Sequence, residues 1–138
     1  MIFSKESLKP VIYDHLRKAQ LACQKWQDYL RLSDWDVRVE IVRQSRLGEC
    51  SADINYHCGK KCAILRILDP VDVAYYDTLS TDYWPIDHDL SIVHELLHLL
   101  FAGFEPDSDV WKDNILEFAV NTLARTIVYS YREKEVLS

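Results

Sequence analysis

Two histidines four residues apart, with a glutamate directly after the first, form the most chemically pointed stretch of the chain: His94-Glu95-Leu96-Leu97-His98, inside the run from Asp89 to Phe101. On a helix, residues four apart lie one above the other, so His94 and His98 can close on one metal ion from a single face. Neutral imidazole nitrogens at about 2.0–2.1 Å suit zinc, and one Zn2+ per chain is the expected complement. Glu95 is turned about 100° from His94 around the helix axis. There it can hold a water beside the metal without being a ligand, the position of a general base. Apart from these three residues, 90–101 is almost wholly apolar, so the helix should be central and buried. Ionisable groups in such a place need compensation, because burying an unpaired charge costs several kcal/mol. A metal supplies it.

Catalytic zinc sites commonly take three protein ligands and keep the fourth position for water. The continuation His-Glu-x-x-His-x-x-Gly-x-x-His is closed here, since Phe101 and Phe104 stand at its Gly and His positions. A carboxylate is therefore expected. Glu117 leads, on a later helix that can double back across the first and among the apolar neighbours Leu116, Phe118 and Ala119; Glu105, Asp107 and Asp109 compete from a nearer loop. One turn past Glu117, Asn121 can accept a histidine ring N–H and fix the tautomer. Tyr75, Tyr76, Tyr83 and His88 are candidates for a rim or for a donor to an oxyanion.

The elements that must position these groups are readable from periodicity. Residues 7–32 carry apolar groups at three-to-four spacing, which predicts an amphipathic helix capped by Ser7, with Pro10 in its first turn. From Asp34 the period becomes two: Trp35, Val37, Val39 and Ile41 alternate with polar residues, then Cys50, Ala52, Ile54 and Tyr56 do the same. Gly59-Lys60 predicts a tight hairpin, and Cys62–Leu68, apolar almost throughout, predicts a strand covered on both faces. Residues 70–88 show no sustained period and read as a long connection. The motif helix, capped by Asp87 or Asp89, should stop near Gly103. A last helix, from about Asp109 to Glu133, should place Trp111, Ile115, Phe118, Ala119, Leu123, Ile127 and Val128 inward, with a fraying tail.

At 138 residues the chain fits one domain, 1–138, and 49% apolar against 28% charged residues is the balance of a globular protein with its own core. A net charge of −6 argues against a nucleic-acid partner, which needs a basic stripe, and leaves a protein or peptide as the better target. No apolar run reaches the roughly 18 residues of a membrane span, and the first residues lack the pattern of a signal peptide, so the expected location is the cytoplasm, away from membranes. The four cysteines are too few for a disulfide scaffold and are expected as free thiols; His57-Cys58 and Cys62 form only a loose hint of a second metal knuckle.

Taken together, His94-Glu95-Leu96-Leu97-His98 followed by Glu117-Phe-Ala-Val-Asn121 and Thr-Leu-Ala-Arg125 resembles the gluzincin branch of the zincin metallopeptidases. The chain is most similar to the very small single-domain members and to peptidases often found in phage and prophage genomes. That resemblance implies an α+β, minimal zincin-like fold: an N-terminal helix, a three-stranded mainly antiparallel sheet, an active-site helix and a C-terminal glutamate helix. It implies a zinc-dependent endopeptidase, with His94, His98 and Glu117 as ligands and Glu95 as base. It also implies an antiparallel edge strand beside the cleft for an extended peptide, a place the third strand would fill. In larger gluzincins an aspartate stands where this chain has Asn121. The alternative reading is a zincin-like metal-binding domain that cuts little and serves protein interaction or regulation.

Overall fold

The computed structural model describes residues 10–79, 86–102 and 110–137. Its elements are α1 (Leu16–Tyr29), β1 (Asp36–Val42), β2 (Ala52–His57), β3 (Cys62–Leu68), α2 (Val73–Leu79), α3 (His88–Leu100) and α4 (Val110–Leu137), with 3-10 turns at Gln44–Arg46 and Pro70–Asp72. This is an α+β architecture of four helices and a three-stranded sheet. Ser7, Tyr83, Gly103, Glu105, Asp107 and Asp109 lie outside the described residues.

The sheet is mixed, with order β1-β3-β2: β3 runs parallel to β1 and antiparallel to β2. The expectation of a mainly antiparallel sheet is corrected by the β1–β3 pairing. Alternation puts Val39, Leu65 and Ile54 in one cross-strand row, and Ile41, Ile67 and Ala52 in the next, all on the face that meets the helices. Leu65 and Ile67 are wholly buried, each worth about 1.5–3 kcal/mol relative to exposure. On the opposite face Ile64 remains 38% exposed and Arg66 grips Asp53 through two hydrogen bonds, while Leu68 is fully buried in a second cluster with Val42 and Leu47, so β3 is covered on one face throughout and on the other only at its C-terminal end. Its apolar run reflects central position in the sheet. The edge strand nearest the motif helix is β2, not β3.

Helix α3 has little polar surface because it lies between layers: α1 packs on β1, α3 on β2 and β3, and α4 across α3. Ile92, Val93, Leu96 and Leu97 are buried to within 1%. The Asp87 side chain caps α3 by accepting from the Asp89 backbone N–H at 3.0 Å. Arg132 of α4 clamps the same end, donating to Asp87 at 2.7 and 2.9 Å and to Asp89 at 3.2 Å, while Trp26 of α1 donates to Asp89 at 3.0 Å. These buried charges are paired and hydrogen-bonded, the condition for tolerating them.

Three expected boundaries move. Helix α1 begins at Leu16 with His15 as its cap, and the segment from Pro10 is non-helical: Tyr13 N–H donates to His88 Nδ1 at 2.8 Å, and Val11 C=O accepts from His88 N–H at 2.7 Å. Those tertiary bonds compete with the local helical pattern. Residues 70–88, read as a connection, hold a 3-10 turn and α2, started by Asp69 accepting from Val71 N–H. Helix α4 continues to Leu137 where a frayed tail was expected, and its inward face is Val120, Ala124, Val128 and Tyr129. Ile115, Phe118 and Leu123, assigned inward from the sequence, are exposed.

Candidate metal centre and cleft

Helix α3 presents His94 and His98 one turn apart, with ring centroids 5.2 Å from each other. Antiparallel packing of α4 brings Glu117 across them. Its carboxylate bridges the pair, Oε1 to His98 Nε2 at 2.7 Å and Oε2 to His94 Nε2 at 3.1 Å, each imidazole donating its Nε2–H. Hydrogen bonds from the two histidines hold the Glu117 carboxyl far below the usual carboxylate range. The Glu117 side chain is half exposed and Phe118 beside it is 74% exposed, so apolar burial does not drive this pairing; direction toward the imidazoles does.

Glu95 lies behind His94, its Oε1 3.9 Å from His94 Nε2. Donor atoms of His94, Glu95 and His98 all fall within 4.8 Å of one another. Burial pushes the Glu95 carboxyl up to about 7, against the opposing pull of the two histidines.

The donor set can be tested against a metal by distance. Two atoms each about 2.0–2.2 Å from a tetrahedral ion stand roughly 3.4 Å apart. The two imidazole–carboxylate separations are shorter by a few tenths of an ångström, the difference between sharing a proton and flanking a cation. Two imidazole nitrogens and the Glu117 carboxylate, one oxygen toward each ring, are donors that fit zinc, and Glu95 lies close enough to belong to the same cluster.

These groups form the floor and one end of an open cleft of about 540 Å³. One wall is Cys50, Ser51 and β2, held to α3 by the Ser51 and Ser91 hydroxyls at 3.5 Å. Gly48, at φ +64°, makes the left-handed turn that delivers this wall, and Gln44 braces it by donating to the Cys50 carbonyl at 3.2 Å. The opposite wall is Asn121, Ala124 and Arg125 of α4, with Tyr76 of α2 at the rim.

Other expected site residues fall differently. Asn121 lines the cleft together with the two imidazoles and Glu117. His88 is fully buried, accepting from Tyr13 N–H, and does not line the cleft, so it is corrected from oxyanion candidate to core residue. Of the tyrosines, Tyr76 reaches the cleft, whereas Tyr75 on the same helix is 58% exposed and is not part of its lining. His57 Nδ1 accepts from Lys60 N–H within the hairpin, and Cys58 and Cys62 are free thiols, as are Cys23 and Cys50. Cys50, Ser51 and Arg125 were given no role from the sequence. Arg125 alone had a signal, its place two turns beyond Glu117.

Compared with protein-family models, with curated proteins and with solved structures, the chain matches none.

Proposed function

We propose that the chain is a zinc-dependent peptidase of zincin type, most simply an endopeptidase, with His94, His98 and Glu117 as ligands and Glu95 as general base. One observation carries the reading: a carboxylate from a separate helix meets the two motif imidazoles at 2.7 and 3.1 Å, while the motif glutamate stands beside them unpaired with Glu117. Zinc held by these residues supplies a Lewis acid that polarises a carbonyl and acidifies a water. The chain's own task is proton handling and positioning. Glu95, whose side chain is largely buried beside His94, is positioned to take a proton from a water at the site and return it to the leaving amine. The position of β2 at the edge of the sheet among the described residues, beside the cleft, supports an extended peptide lying along it by main-chain hydrogen bonds.

A paired substitution tests this. Glu95→Gln should keep about one zinc per chain and lower cleavage of an unfolded protein by roughly 100-fold to 10,000-fold. Glu117→Ala should lose the zinc as well. Cleavage that a chelator abolishes and added zinc restores is the expected behaviour of the unsubstituted chain; full turnover by Glu95→Gln would remove the base from the account.

A second reading, a zincin-like metal-binding module for protein interaction or regulation, draws on Asn121, which stands where larger gluzincins carry an aspartate. It predicts bound zinc without cleavage.

A further inference from the structure

Strand β1 is the edge of the sheet away from the cleft, and among the described residues its outer side meets no other strand. Its inner ladder fixes which backbone groups face outward. Asp36 N–H donates to Lys61 C=O and Val42 C=O accepts from Asp69 N–H, both on the β3 side. Backbone direction alternates along a strand, so Val37, Val39 and Ile41 turn their N–H and C=O groups away from β3. The strand pairs over all seven residues without a bulge and carries no Pro, so nothing of the usual kind blunts this edge. An open groove of about 480 Å³ lies between its first half and α1.

The charges on β1 are self-complementary. A second β1 laid antiparallel about a two-fold axis at Val39 pairs the whole strand: Val39 meets Val39, Val37 meets Ile41, and the outward groups exchange about six main-chain hydrogen bonds. The same register sets Arg38 against Glu40 and Glu40 against Arg38. A slip of two residues, the smallest that keeps the apolar faces on one side, loses about two of those bonds and opposes like charges. It brings either Arg38 onto Arg38 and Asp36 onto Glu40, or Glu40 onto Glu40. Within one chain Arg38 stands beside Ile64 and makes no ion pair or hydrogen bond among the described residues, while Arg66, beside Glu40, is bound to Asp53.

We infer that β1 is a self-pairing edge through which two copies of this chain form a two-fold dimer with one continuous sheet, Arg38 and Glu40 setting the register. The cleft of each copy, on the β2 side, stays open.

The test follows the full chain by sedimentation velocity from about 1 to about 100 µM, with amide hydrogen exchange at both ends of that range. A monomer–dimer equilibrium is expected, with the Val37, Val39 and Ile41 amides exchanging more slowly in the dimer. Arg38→Glu and Glu40→Arg each oppose like charges and should weaken dimerisation by roughly tenfold to a hundredfold, and the double substitution should restore it to within about threefold. A chain that stays monomeric throughout would overturn the inference and leave the edge to some other extended segment. A dimer whose three amides exchange unchanged would overturn it too, as would a loss in the single substitutions that the double substitution fails to rescue. Should a variant fail to fold, the exchange pattern of the unsubstituted chain decides.

Discussion

Glu95 is the site residue whose proton the fold grips most unusually, and the sign of that grip is testable. Burial raises its carboxyl to about 7, so between its ordinary value and that pH the metal-free folded chain keeps a proton that the unfolded chain releases. The stabilisation is complete below the unfolded value and is lost as pH rises through about 7. Thermal unfolding in chelator should therefore show Glu95→Gln and the unsubstituted chain alike at about pH 4, with Glu95→Gln the more stable by a few kcal/mol at about pH 8. The same Tm difference at both pH values would contradict the assignment. His94, Glu95, His98 and Glu117, which the structure brings together, were legible in the sequence as types and spacing. What Asn121 and His88 do was not legible, because that depends on directions in space. His88 is turned into the core by its bonds to the segment at Val11–Tyr13, and Asn121 points into the cleft.

Among elements, the alignment of α3 with α4 decides whether Glu117 meets the imidazoles at all. At the N-terminal end of α3 it is fixed by Arg132, whose side chain is 12% exposed and whose partners Asp87 and Asp89 are nearly buried. Removing one member leaves a buried charge unanswered, so Arg132→Met should lower unfolding free energy by about 3–5 kcal/mol in urea titration. A loss below about 1 kcal/mol would make the clamp incidental. The rotation of α4 is open to a second test. Val120→Ala should cost about 2 kcal/mol, and Phe118→Ser should stay within about 0.5 kcal/mol, because Val120 is buried and Phe118 is largely exposed. The reverse order would restore the face expected from the sequence. That face was misread because α4 carries apolar residues on two stripes, and periodicity reports a stripe without saying which one meets α3. Strand β3 was read only in part for a related reason: its apolar run marks a central strand as readily as a doubly covered one, and only Leu68 finds cover on the second face.

The whole molecule places its charge chemistry at the joint between layers. The sheet supplies an edge, α3 the imidazoles and Glu95, and α4 the carboxylate that the folded core brings within hydrogen-bond reach of those imidazoles. Among the described residues no helix is long and apolar enough to cross a membrane. The order of α1, the three strands, α3 and α4 was readable from periodicity, whereas α2 and the strand order β1-β3-β2 were not, the latter because parallel pairing of β1 with β3 leaves no mark on either strand's pattern. The most direct measurement is a zinc anomalous difference map from crystals of the full chain grown with zinc. A single strong peak flanked by His94 Nε2, His98 Nε2 and the Glu117 carboxylate, with Glu95 next to it, is the predicted result. An empty position between the imidazoles, or a peak held by other side chains with Glu117 turned away, would contradict it.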